Sequence, residues 1–222
     1  MDKRSGEAFF FSFAVTALLV VVLSFGIHAV IRAGQLPPFS LPLVIHATLM
    51  VGWYGLFAVQ AGLVRSDNVS FHMRLGKLSA ILAAGIVISG LVIMAEHYQR
   101  KGEPLVAMSN IMAMVCFAGF YTAAVANRKK PVTHKRLMTF ASIFMLAPAL
   151  TRFARAFDLG EGIILPLWLL AVVSVILYDV LKLKKVHIAT VIGGCSFVIA
   201  VVLMIAVGTS GTWKAFLDSM LR

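Results

Sequence analysis

Six histidines are the residues of this chain best suited to chemistry at neutral pH. Two of them open a repeated His-x-Arg-Leu signature, in FHMRLGK at 71–77 and in THKRLMT at 133–139. Each signature stands directly before a long apolar run. An imidazole can move protons, ligate a transition metal or hold a haem iron. An arginine beside it offers a fixed charge for a carboxylate or a phosphate. Which of these applies depends on the elements that place the side chains.

Composition sets those elements. Of 222 residues 60% are hydrophobic and 13% are charged, and the mean hydropathy is +0.94. A soluble domain carries about 25% charged residues. Apolar runs long enough to cross a bilayer recur along the whole chain. The expectation is an all-α polytopic integral membrane protein, a single transmembrane domain over 1–222. Seven spans are expected, roughly at 8–31, 42–64, 73–95, 105–127, 135–156, 162–182 and 187–208. Turn chemistry separates them: Gly34 with Pro37-Pro38, Asp67-Asn68, Gly102 with Pro104, Pro131, and Gly160 with Gly162. The opening MDKRSGEAFF has the flavour of a signal peptide. The apolar run from Ala8 to Ile31 is too long for one, so it is read as a retained first span.

The net charge is +11. The basic residues stand in short blocks between apolar runs, the pattern of topology signals and not of a nucleic-acid face. Thirteen of the 20 Lys and Arg residues fall at 3–4, 65, 74–77, 128–136 and 182–185. That bias places the N-terminus inside and the C-terminus outside, in the inner membrane of a bacterium. The tail TWKAFLDSMLR reads as a short amphipathic helix along the outer surface. Cys116 and Cys195 fall within apolar runs and read as small buried hydrophobes.

On this topology the histidines form two layers. His72, His134 and His187 lie at the inner face, and His28, His46 and His97 at the outer. His28 and His187 have little polar company and read as structural. His72 and His97 return to within about 20° of one face of a continuous helix. Gly76, Ser79, Ala83, Ile86 and Gly90 lie between them, a stripe that suits a packed neighbour or a flat cofactor. His134 and Arg152 share a face at about 27 Å, with Arg155 continuing it. Those arginines need headgroups or a carboxylate such as a haem propionate. In span two His46, Met50, Trp53, Phe57 and Gln60 share a face, and His46 with Met50 suits a soft metal such as Cu(I). Met108, Asn110, Met112 and Met114 sit in span four, where methionine stripes usually pack.

Other chemistries lack their residues. No acidic side chain falls near the middle of a span, and Asp179 stands near the inner end of span six. No H-E-x-x-H, G-x-S-x-G or P-loop occurs. No catalytic residue can be named. Haem b fits best, with His72 and His134 as an inner pair and His46 and His97 as an outer pair near Arg152 and Arg155. A second reading is a metal-dependent membrane enzyme or metal handler holding zinc or copper on His28, His46, His97 and Met50. A third is a non-catalytic assembly factor, complex subunit or sensor.

The segments HATLM, HMRLGK and THKRLM with a trailing ALTR carry a resemblance. Together they resemble a group of uncharacterised bacterial predicted membrane proteins with His-x-Arg-Leu motifs. That group more distantly resembles the di-haem cytochrome b transmembrane electron carriers. The likeness covers about residues 42–156. It implies His46, His72 and His134 as haem ligands, and a further histidine within span four. This chain carries Asn110 and methionines there, with His97 nearby. It also implies electron transfer between a quinol and an acceptor, in contact with the bilayer, a quinone and other membrane-complex subunits.

Overall fold

The computed structural model describes residues 3–35 and 39–221. The expected Pro37-Pro38 turn lies outside the described residues, as does Arg222. The fold is all-α, with no strand among the described residues. Its helices are α1 (Lys3–Ile31), α2 (Leu41–Arg65), α3 (Val69–Gly76), α4 (Ser79–Lys101), α5 (Pro104–Ala126), α6 (Pro131–Phe144), α7 (Ala147–Ala156), α8 (Ile164–Leu183), α9 (Ile188–Gly208) and α10 (Gly211–Leu221). A short 3₁₀ turn, Glu161–Ile163, leads into α8.

Six helical stretches are long and apolar enough to cross a membrane. The count reaches seven if α6 and α7, bent by 43° at their junction, form one span. The stretch Val69–Lys101 joins α3 and α4 across Lys77 and Leu78. The apolar side chains turned outward along α4 and α9, such as Ile81, Ile88, Val198 and Val202, suit contact with lipid.

The expected fifth span, 135–156, is therefore broken. Pro148 is the reason: it has no N–H to give, and its ring collides with the carbonyl four residues earlier. The backbone groups freed at the break are then met by neighbouring helices. Ser142 O accepts from Tyr54 Oη of α2 at 2.8 Å, and Ile143 O accepts from Trp168 Nε1 of α8 at 2.6 Å. Trp53 Nε1 donates to Ser142 Oγ at 3.2 Å. From Arg136 to Leu150 nearly every residue is buried. Irregular backbone at membrane depth is tolerated only inside protein, and here it sits at the centre of the bundle.

Around this core α1 packs on α2 and α7, α2 on α4, and α5 on α4, α6 and α9. The small-residue stripe of α4 serves helix packing. Ser79, Ala83, Ile86 and Gly90 are all buried. Ser79 Oγ meets Tyr121 Oη of α5 at 2.8 Å, and a Cβ at Gly90 would lie 2.6 Å from Met114 Sδ. At the far end, α10 folds back onto α4, α5 and α9. Leu217 is buried there and Trp213 Nε1 donates to Pro104 O at 2.9 Å, while Phe216 and Met220 remain exposed.

Gly193 of α9 faces the ring of Phe140 of α6 so closely that a Cβ would overlap it. Gly193→Ala should cost about 1–3 kcal/mol through overpacking. A lowered melting temperature in detergent is the measurement, and an unchanged one would mean α9 can move away from α6.

Candidate functional site

The N-termini of α1, α6 and α9 and the C-termini of α2, α5 and α8 lie at one end of the bundle, called here the amino-terminal end. The three consecutive residues His134, Lys135 and Arg136 begin α6 there, each tied to a different neighbour. His134 Nδ1 lies 2.8 Å from Ala124 O of α5. Lys135 Nζ donates to Glu7 Oε1 of α1 at 3.0 Å. Arg136 forms an ion pair with Asp179 of α8, with side chains 1% and 0% exposed.

His72 of α3 arrives at the same place. Its ring centre lies 6.4 Å from that of His134, with the planes at 90°. A carbonyl can only accept, so His134 Nδ1 carries a proton, and in the neutral ring Nε2 is the nitrogen with the lone pair. That is the way a ligating imidazole is commonly fixed by a backbone carbonyl. Around His72 the polar groups are incomplete. Gln60 Oε1 is buried without a hydrogen-bond partner among the described residues, and the His72 ring lies against the Gln60 backbone. Gly76, one turn beyond His72, leaves its would-be Cβ 3.5 Å from Gln60 Nε2. His72 and His134, expected as an inner pair from the repeated signature, are thus neighbours, with Gln60 beside them.

The two arginines of the signature do not match. Arg136 is buried against Asp179, whereas Arg74 is exposed. Asp179 is saturated. It accepts from Arg136 Nε at 3.0 Å, Thr190 Oγ1 at 2.6 Å and the His187 backbone N–H at 3.0 Å. The remaining guanidinium nitrogen, Arg136 Nη1, donates to Val132 O at 2.8 Å. This network welds α6, α8 and α9 together. Charge spacing along the chain could not reveal it, because its members lie on three separate helices.

His187 caps α9, with Nδ1 accepting from the Ala189 N–H at 3.1 Å. Burial, and then the positive charge of Arg136, hold its pKa below the ordinary 6.5, while Asp179 pulls the other way. The unfolded chain therefore takes up this proton at a higher pH than the folded one. The stability contributed by the neutral ring is full above about pH 6.5 and is lost as pH falls through the folded value. Melting temperature should drop on acidification below about pH 6.5. His187→Asn, which keeps a capping oxygen, should flatten that slope.

The opposite end holds the other candidates, and they stay apart. His46 Nδ1 meets Ser89 Oγ at 2.9 Å. His97 Nε2 meets Glu103 Oε2 at 2.9 Å, two turns further along α4. His28 lies among Arg32, Gln35 and Arg155 in a cavity at the end of α1, and Met50 packs against the core. No three His, Cys, Asp or Glu side chains converge among the described residues. The histidines of the expected metal cluster of His28, His46, His97 and Met50 therefore do not converge among the described residues, and His46 and His97 of the expected outer pair are each engaged with a different neighbour. One shared face fails: the bend at Met145–Leu146 separates His134 from Arg152. Arg155 pairs with Glu161, and Arg152 lies over the Phe25 ring at 5.3 Å.

No family model, curated protein or solved structure matches the chain.

Proposed function

We propose that the chain is a haem b-binding electron-transfer protein of the bacterial inner membrane, with His72 and His134 as the axial pair. One observation carries this reading: the imidazole rings of His72 and His134, from different helices, lie with centres 6.4 Å apart and planes at 90°. Metal–imidazole bonds of about 2.0–2.1 Å on either side of one ion put ring centres about 6 Å apart. The residues fit such a group. His134 Nδ1 is held by Ala124 O, which leaves Nε2 as the nitrogen that could ligate.

A haem bound there would cycle between ferric and ferrous iron and so carry one electron. The chain's own part is to hold the two rings still. The anchors on Ala124, Glu7 and Asp179 fix the start of α6 against rotation. Exposed Arg74, Lys77 and Arg128 supply positive charge at the same end for the carboxylates of the group. The Lys and Arg bias supports placing this end inside and the C-terminus outside. The donor would be a quinol or a neighbouring subunit of a membrane complex.

The test is an absorption spectrum of the purified protein in mild detergent, oxidised and then dithionite-reduced, beside an iron analysis. A Soret band that sharpens on reduction, with iron near about one per chain, is expected. A protein that stays colourless and iron-free, even after added hemin, would overturn the reading.

A further inference from the structure

His46, which the inner histidine pair leaves unused, meets a thioether over the buried face of α4. A Cβ at Gly90 of α4 would lie 2.6 Å from Met114 Sδ of α5 and 3.4 Å from His46 Cε1 of α2. Through that shared point the sulfur and the ring carbon stand no more than about 6 Å apart. Met114 is 5% exposed and Gly90 is buried, whereas His46 is only half-buried.

Ser89 fixes the tautomer of the ring. Its Oγ donates to Ile86 O at 3.3 Å, which commits the one hydroxyl proton. His46 Nδ1, 2.9 Å from the same oxygen, is then the donor of that bond. In the neutral ring Nε2 keeps its lone pair, and it is bonded to the carbon that faces Gly90 and Met114. No hydrogen bond reaches Nε2 among the described residues. An imidazole held through one nitrogen, with the other free, is arranged as metal-ligating histidines are.

The two donors select the ion. Thioether sulfur is a soft ligand that favours Cu(I), and imidazole suits copper equally. Both donors are neutral, and no three His, Cys, Asp or Glu side chains converge among the described residues. A divalent ion would therefore place two uncompensated charges in apolar protein, and a monovalent ion only one. Met50, one turn beyond His46, and Met94, one turn beyond Gly90, put further thioethers on the same helix faces.

We propose that His46 Nε2 and Met114 Sδ bind Cu(I), at a site separate from the histidine pair, with Ser89 as the positioning residue. Metal bonds of about 2.0–2.3 Å to nitrogen and sulfur set such donors about 4 Å apart. The flexible methionine chain can make that adjustment.

Competition with bicinchoninate, anaerobic and under reductant, tests the site. The sample is the full chain in mild detergent, with Cys116 and Cys195 replaced by alanine so that no thiol competes. This background should hold about one Cu(I) per chain, and an excess of Zn(II) should not displace it. Met114→Leu conserves volume and keeps the packing, yet it should weaken Cu(I) binding at least about tenfold. His46→Ala should do the same. Ser89→Ala should weaken binding about tenfold, and Ser89→Thr, which keeps the hydroxyl, should restore it. Melting temperature checks that each variant is folded. Iron and haem play no part in the readout, so its outcome is independent of the haem reading. No Cu(I) held against bicinchoninate, or affinity unchanged by either Met114→Leu or His46→Ala, overturns the proposal.

Discussion

Asp179→Ala should destabilise the protein by about 3–5 kcal/mol, the range for leaving one member of a buried ion pair without its partner. Arg136 is 1% exposed, and without Asp179 its charge would keep only the Val132 carbonyl and the faces of Phe10 and Tyr178. Thr190 Oγ1 and the His187 N–H would lose their acceptor in the same step. Asp179→Asn should fare little better, because it restores an acceptor but not the charge. The double variant Arg136→Met with Asp179→Leu should recover most of the loss, since apolar residues of similar volume often replace a buried pair at little cost. Detergent melting of the three variants is the check. If Asp179→Ala alone melts like wild type, water or headgroups must reach the guanidinium.

On the proposed haem reading, His72→Ala and His134→Ala should each abolish the same absorption band, because one iron would be held by both imidazoles. His97→Ala, whose ring is engaged with Glu103, should leave the band intact. Added imidazole should restore colour to either cavity variant, a rescue that a merely structural role would not show. His134→Ala also removes the bond to Ala124 O, so its melting temperature should be read alongside the spectrum. If one substitution bleaches the protein and the other leaves it coloured, the axial pair is wrongly assigned.

Much of this architecture was legible as apolar run lengths. The helices Leu41–Arg65, Pro104–Ala126 and Ile188–Gly208 match the expected spans within a residue or two. That is because hydrocarbon thickness, not sequence detail, sets their length. The tail helix was legible too, from its amphipathic pattern. The meeting of His72 with His134 could be inferred because both start apolar runs at matched depth. What was lost is whatever depends on phase or on distant partners. The angular argument across 134–152 assumed an unbroken helix, and the bend at Pro148 removes that assumption. The ion pair between Arg136 and Asp179 joins residues whose local contexts give no hint of each other. Asp179 did carry a signal: a carboxylate within an apolar run requires a partner.

The order in which the helices are synthesised gives that ion pair a further meaning. Arg136 and the broken α6–α7 segment precede α8 in the chain, so they reach the membrane before Asp179 and Trp168 exist to meet them. Until α8 arrives, this segment carries a lone charge and freed carbonyls, both disfavoured in hydrocarbon. Stable residence of the segment in the bilayer therefore waits on α8. Nascent chains truncated before Ile164 should leave it extractable by alkaline carbonate, and chains extended through Lys185 should not. Equal extraction of both would show that the segment settles in the membrane without α8.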